Sequence, residues 1–247
     1  MRKLAVFSLI VAFAVIIGCS KETPMDVQSP MNDSSEPMGH ASDAVATYEI
    51  VIENLTPNNG NGAAQPFSPP VVATHHSTFH IYKEGRFASF EVQRVAEDAQ
   101  NDPLVSTLSS SPCVFDYNVG GGVILPGQSA KIMVEAKVGF RQLSLISMLV
   151  NTNDGFIGLD GLRLPGLMEE GMVMEYVTAL DAGTEKNTEM TDHIPGPCCG
   201  NPGVRVPEHK RIDDHDGILG VGDLDPAIWG WSEPAAKITV KLVGISS

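Results

Sequence analysis

The most constraining feature of this sequence is an almost unbroken apolar run, Leu143 to Val150, that stops at Asn151-Thr152-Asn153-Asp154-Gly155-Phe156-Ile157-Gly158. A run of that length and composition reads as a central buried strand. A second apolar run, Met172 to Ala179, is followed in the same way by Leu180-Asp181-Ala182-Gly183-Thr184-Glu185. Each segment therefore offers carboxylate and amide oxygens where a strand gives way to a Gly-bearing loop. Two such loops at one end of a β-sandwich would pool Asp154, Asp181 and Glu185 around a hard cation. Calcium suits that set, because it takes several oxygen ligands in flexible geometry. Asn, Asp and Gly also dominate ordinary turns for backbone reasons, so the residue types alone leave both readings open.

The surrounding pattern predicts a β protein. Thr47 to Leu55 is β-branched, Val71 to Thr74 and Thr78 to Tyr82 read as short extended pieces, and Ala130 to Val138 alternates apolar with polar or small residues. Ala236 to Val243 sets Lys237, Thr239 and Lys241 against Ile238, Val240 and Leu242, as a half-buried closing strand does. One helix is expected between Phe87 and Gln100, with Phe87, Phe90, Val95 and Ala96 on a shared face. The Ser109-Ser110-Ser111-Pro112 and Gly120-Gly121-Gly122 clusters read as loops. With 24 glycines, 17 prolines and 6% aromatic residues, the expected fold is all-β, an antiparallel sandwich with long loops and one short helix.

The formal net charge of -14 argues against nucleic acid as a partner, since that requires a basic surface to displace counterions. At the N-terminus Arg2 and Lys3 precede an apolar stretch, Leu4 to Ile17, that ends at Gly18-Cys19. The stretch is short of the roughly 20 apolar residues a membrane span needs and has the layout of a secretory signal. Ile16-Ile17-Gly18-Cys19 resembles the lipobox of bacterial lipoproteins, which predicts a signal peptide over 1–18 and lipidation of Cys19. Ser20 at the next position suits delivery to an outer membrane. Residues 19–45 are then a Ser-, Pro- and Met-rich tether, reaching about 30 Å if flexible, and residues 46–247 form the folded domain.

Tyr48-Glu-Ile-Val-Ile-Glu-Asn-Leu-Thr56, Gln65-Pro-Phe-Ser-Pro-Pro70, Asn153 to Gly158 and Leu180 to Glu185 resemble, in this order, motifs of the spondin N-terminal domain family (the F-spondin/mindin-like domain), which also occurs in bacterial lipoproteins. The resemblance runs from about Ala46 to Val243. It implies a C2-like sandwich, a bound Ca2+ ion, and adhesion or matrix binding in place of catalysis. Asp154 and Asp181 match the family's first two calcium-binding aspartates. Glu185 stands where animal members carry Asp, a longer arm that changes the geometry, and Gly155 stands where they carry Trp. The partners so implied are the membrane, through the lipid on Cys19, and a protein or glycan at the calcium-loop edge. The location is the bacterial cell envelope, at the outer membrane.

Other constellations carry less. Asp213-Asp214-His215-Asp216-Gly217 with Asp223 and Asp225 fails as an EF-hand, because Ile212 stands where the first ligand belongs. His75, His76 and His80 lack zinc-site spacing and read as structural, and no Gly-x-Ser-x-Gly elbow is present. A metal-assisted hydrolase using the histidines and the 213–225 acidic loop is the alternative function, and an envelope protein without an ion is the third. Among Cys113, Cys198 and Cys199, either Cys113 pairs with one of the others or Cys198 and Cys199 pair with each other. Trp229 and Trp231 read as a plug for the end of the sandwich core.

Overall fold

The computed structural model describes residues 44–59, 64–166, 171–200 and 203–246. The signal peptide, Cys19 and the tether expected over 19–45 lie outside these residues, apart from Ala44 and Val45. In chain order the strands are β1 (Val45–Asn54), β2 (Val71–His75), β3 (Val114–Val119), β4 (Ser129–Lys137), β5 (Gln142–Met148), β6 (Gly155–Arg163), β7 (Met172–Val177), β8 (Ala179–Asp181), β9 (Asp213–Asp214) and β10 (Ala236–Ser246). The helices are α1 (Phe90–Asp98), α2 (Asp102–Ser110) and the short α3 (Pro226–Trp229).

Two antiparallel sheets result, one ordered β4-β1-β10-β7 and the other β3-β2-β5-β6-β8-β9. The expected all-β sandwich is what the chain forms. Alternation explains the first sheet directly: Tyr48, Ile50 and Ile52 of β1 point inward beside Ile132 and Val134 of β4 and Ile238 and Val240 of β10. They pack on Leu143, Leu145 and Ile157 of the second sheet and on Phe67 and Leu149. Each of these large side chains contributes about 1.5–3 kcal/mol by leaving water. β10 pairs with β1 along the full length of β1, from Val45 opposite Ser246 to Asn54 opposite Ala236, so the C-terminal strand closes the sheet that the N-terminal strand opens.

The second sheet is covered on its other face too. Val92, Val95 and Ala96 of α1 and Leu104 and Leu108 of α2 bury against Val71, Ala73, Ile146 and Phe156. This is why β2 and β5 are apolar with little alternation: one set of side chains meets the first sheet and the other meets helices. The helical layer differs from the expectation in three ways. There is a second nine-residue helix, α2. Ser109 and Ser110, expected in a loop, end it with their hydroxyls donating to Ser106 O at 2.9 and 3.0 Å. Finally, α1 starts only at Phe90, capped by Ser89 Oγ accepting from Val92 N–H at 3.3 Å. Phe87 and Phe90 are therefore exposed, at 49% and 63%, and do not share the buried face with Val95 and Ala96. Thr78 to Tyr82 forms no strand; Phe79 N–H turns back onto His76 O at 3.0 Å.

No helix among the described residues is long and apolar enough to cross a membrane. Cys198 and Cys199 are bonded to each other, and no cysteine among the described residues is free. Trp229 and Trp231 pack half-buried around Ile194, Ile218 and Leu224, with Trp231 also meeting the main core, as a core plug does.

A candidate metal centre at the end of the second sheet

The tip of the β5–β6 hairpin is a tight turn made by its own side chains. Thr152 Oγ1 donates to Leu149 O at 2.7 Å and accepts from Gly155 N–H at 2.9 Å. Asn151 is clamped from two directions: its Nδ2 donates to Ala64 O at 3.0 Å, and its Oδ1 accepts from Cys198 N–H at 3.3 Å. Gly155 is required here, because a Cβ would lie 2.6 Å from Thr152 Oγ1 and 2.9 Å from His215 Cδ2. The space that a tryptophan would need at this position is filled instead by His215, whose ring packs against Trp231 at 5.3 Å.

This turn delivers Asp154, fully buried, beneath the loop that follows β8. Its Oδ2 accepts three bonds, from Thr184 N–H (2.7 Å), Thr184 Oγ1 (3.0 Å) and Glu185 N–H (2.9 Å). Its Oδ1 is buried and accepts none. Asp181 at the end of β8 accepts from Gly183 N–H at 2.6 Å through Oδ1 and from Asn187 Nδ2 at 2.5 Å through Oδ2. The bend between them depends on Gly183, whose φ of +69 suits glycine and whose Cβ would meet Lys210 backbone at 2.7 Å. The amide oxygen of Asn187 is likewise buried without a donor.

Glu185 follows in the same loop, its backbone N–H bonded to Asp154. Only 1% of it is exposed. Arg205 Nε lies 2.6 Å from its Oε1, but that N–H is aimed at Glu97 Oε2, 3.0 Å away. Both Glu185 oxygens therefore lack a well-directed donor. Arg205 also meets Asp98, and Arg94 pairs with Asp98 at 2.6 Å. The guanidinium is thus shared among three carboxylates.

Burial pushes the Asp154 carboxyl up to about 7, with the nearby Asp181 charge adding to the effect. Burial also pushes Glu185 up to about 8, against the pull of Arg205. Among the described residues no three Asp, Glu, His or Cys side chains form a ready-made cage. What the loops leave without a hydrogen bond is Asp154 Oδ1 and Asn187 Oδ1, with Asp181 held by Asn187 and Glu185 turned to Arg205. Those are hard oxygen donors of the kind calcium takes, and they fit the ion on donor chemistry.

Asp181 also reaches an open cleft of about 500 Å³ whose lining includes Asp213, Asp214, Asp216, Lys210 and Phe87. The 213–225 segment is thereby folded and largely self-satisfied. Glu189 accepts from Leu219 and Val221 N–H at 2.6 and 2.7 Å, and Asp223 accepts from Thr191 N–H at 2.9 Å. Asp225 caps α3.

The histidines do not join these carboxylates as ligands. His215 Nδ1 accepts from Gly217 N–H at 2.9 Å, so in the neutral ring Nε2 carries the proton and has no lone pair for a metal; burial lowers its proton affinity. His75, His76 and His80 are engaged with one another's surroundings, through Ser144, Thr78 and Asp160. Sequence reasoning named the three carboxylates as candidates; it did not single out Asn187 or Arg205, and it met His215 only as part of the 213–217 acidic segment. Thr184 stood inside the recognised motif and could have been read as a donor. Arg205 carried no signal, since Glu97 lies 108 positions away.

No curated protein matches this chain. The sequence model of the family described as Spondin_N matches residues 46–195, more than half of the chain and all three candidate ligands. The segment beyond the match supplies β9, α3 and β10, the last of which is integral to the first sheet. The family's members are generally non-enzymatic, and at that level it marks a binding or adhesion module. The chain belongs to the spondin N-terminal domain family.

Proposed function

We propose that this protein is a calcium-dependent, non-catalytic adhesion module held at the bacterial outer membrane by a lipid on Cys19. The single observation that carries the calcium part is Asp154 Oδ1, a fully buried carboxylate oxygen without a donor, with the Asn187 amide oxygen likewise unpaired. A buried, unpaired carboxylate is costly, and a divalent cation is the partner that offsets it. Asp154, Asp181 and Glu185 would hold the ion, with the Asn187 oxygen or water completing the shell. Calcium supplies charge neutralisation and cross-linking there, tying the 149–155 turn to the 181–187 loop. The edge so ordered is where a protein or glycan ligand would dock. The anchor rests on the lipobox-like Ile16-Ile17-Gly18-Cys19.

Thermal unfolding of the full chain in detergent, with calcium and with chelator, tests the ion. For a dissociation constant of about 0.1 mM, typical of extracellular modules, about 5 mM calcium adds roughly 2.3 kcal/mol. For a domain of this size the midpoint then rises by roughly 5–9 °C. An unchanged midpoint overturns the calcium reading. Loss of fatty-acid labelling in Cys19→Ala tests the anchor, and a wild-type chain that takes up no label overturns it.

A further inference from the structure

The two edges of the four-stranded sheet are finished differently. Along β4 the second sheet caps the outward backbone groups. Asp116 Oδ2 accepts from Glu135 N–H at 2.7 Å, Thr74 Oγ1 donates to Glu135 O at 2.5 Å, and Asn118 Nδ2 donates to Met133 O at 3.3 Å. Lys131 and Lys137 add charge to that edge, a device that discourages a further strand.

At the opposite edge β7 pairs with β10 and, among the described residues, with nothing on its other side. It has no lysine or proline, and Met172, Met174 and Tyr176 project outward at 57%, 51% and 62% exposure. The approach is open: a groove of about 490 Å³, lined by Tyr82, Glu84 and Asp160 on one side and Tyr176 and Thr178 on the other, separates β7 from the second sheet. An uncapped, apolar edge strand is a template for another strand.

The sequence of β7 fits a second copy of itself. Even-numbered residues face outward, while Val173 and Glu175, opposite Val240 and Ile238, face inward. With a two-fold axis at Met174, antiparallel copies set Met172 against Tyr176, Met174 against Met174, and Val173 against Glu175. Every outward pair is then apolar on apolar, and the two glutamates are not directly opposed. An axis at Glu175 would oppose them. A one-residue slip would set outward side chains against inward ones.

We propose that β7 is a homodimerisation edge, through which two copies of this chain pair antiparallel about Met174 and join their four-stranded sheets. The interface is isologous, as a closed two-fold dimer requires. It is independent of calcium and of the lipid.

Sedimentation of the full chain in density-matched detergent tests it. The wild type shows a concentration-dependent mass of two chains. Met174→Lys, which places like charges on the axis, sediments as one chain, keeps the wild-type circular dichroism, and loses the concentration dependence of the thermal midpoint that dimerisation gives the wild type. Met174→Cys forms a reducible covalent dimer under mild oxidation, whereas Met133→Cys, on the capped edge, does not. A wild type that stays a single chain at every concentration overturns the proposal, and so does a Met174→Lys variant that still dimerises. If Met174→Lys perturbs folding, the cross-link decides, and absence of the reducible dimer in Met174→Cys overturns the proposal.

Discussion

The β5–β6 hairpin carries a buried polar cluster at each end, and the two clusters differ in whether their atoms are satisfied. At its open end His75, fully buried, donates from Nδ1 to His76 O at 2.9 Å and meets Ser144 Oγ through Nε2 at 2.7 Å. Ser144 Oγ also accepts from Gly161 N–H at 2.9 Å, and Asp160 pairs with His80 at 2.7 Å. A serine beside a histidine and an aspartate invites a catalytic reading. Yet the Ser144 hydroxyl and both His75 ring nitrogens are already engaged, and both residues are fully buried. Burial also holds His75 below the usual histidine range, as the neutral ring this network needs. At the hairpin's tip Asp154 is just as buried and its Oδ1 has no donor, while Glu185 has only the Arg205 charge, shared with two other carboxylates, beside it. A satisfied buried polar cluster specifies a structure, whereas an unsatisfied one specifies a missing partner.

That contrast is broken most forcefully at the satisfied end. His75→Ala removes the ring nitrogen that meets Ser144 Oγ and the donor to the His76 carbonyl, and it opens a cavity against Phe79, whose ring lies 5.3 Å from the imidazole. The expected cost is roughly 4 kcal/mol, equal with calcium and with chelator. Denaturant unfolding in both conditions measures it. A cost that depends on calcium would mean the two ends are coupled and the contrast is wrong.

The next largest effect concerns pH at the unsatisfied end. Asp154 and Glu185 hold their protons more tightly folded than unfolded, up to about 7 and about 8. The native state then binds more protons than the unfolded chain between pH 4 and those values, so stability falls as pH rises through that window. In chelator the protein should lose roughly 2–4 kcal/mol between about pH 5 and pH 8. Saturating calcium should flatten that slope, because the ion takes the place of the protons. Melting curves across that range, with and without calcium, check both halves. A chelated protein that is more stable at pH 8 would show that the two carboxylates are satisfied after all.

Asp154→Asn sharpens the comparison one step further. It keeps the shape and a carbonyl-type acceptor for Thr184 and Glu185 N–H, and it removes the charge. Calcium should then add almost nothing to stability, a loss of about 2.3 kcal/mol relative to wild type at about 5 mM calcium. In chelator at pH 8 the variant should equal or exceed the wild type, since a buried unpaired charge is gone. A variant that keeps the full calcium shift would move the ion away from Asp154.

How much of this was legible in the sequence follows from how local each cause is. β1, β4 and β10 show themselves by alternation, because one face meets the core and the other meets water. β5 shows itself as buried by its lack of alternation, but the helices on its second face are less visible. α2 opens with Asn101-Asp102-Pro103, a turn-like start that also suits the first turn of a helix, and closes on serines. The turns that carry the candidate residues Asp154, Asp181 and Glu185 are legible because tight turns need neighbouring residues of the right type. Arg205 is not legible, because its partners Glu97 and Asp98 on α1 are remote in the sequence and meet it only in the folded chain. His215 is hidden for a related reason: the acidic residues around it fail as an EF-hand, and nothing in their spacing shows that its ring fills the space above Gly155.

The smallest expected effect decides what Glu185 does. Its carboxylate differs from that of Asp154 in having a cation near it: Arg205 Nε stands 2.6 Å from Oε1, although its proton is directed to Glu97. A calcium ion binding Glu185 therefore competes with a charge that is already present, whereas at Asp154 it competes with none. Glu185→Gln should accordingly weaken calcium only about tenfold. That leaves roughly 1 kcal/mol of calcium stabilisation at about 5 mM, where Asp154→Asn leaves almost none. Calcium titrations of the two variants, followed by thermal midpoint, read the difference. Equal, complete losses would make Glu185 a full ligand whose pairing with Arg205 yields to the ion. No loss in Glu185→Gln would assign Glu185 to the Arg205 network and leave Asp154, Asp181 and Asn187 to hold the metal.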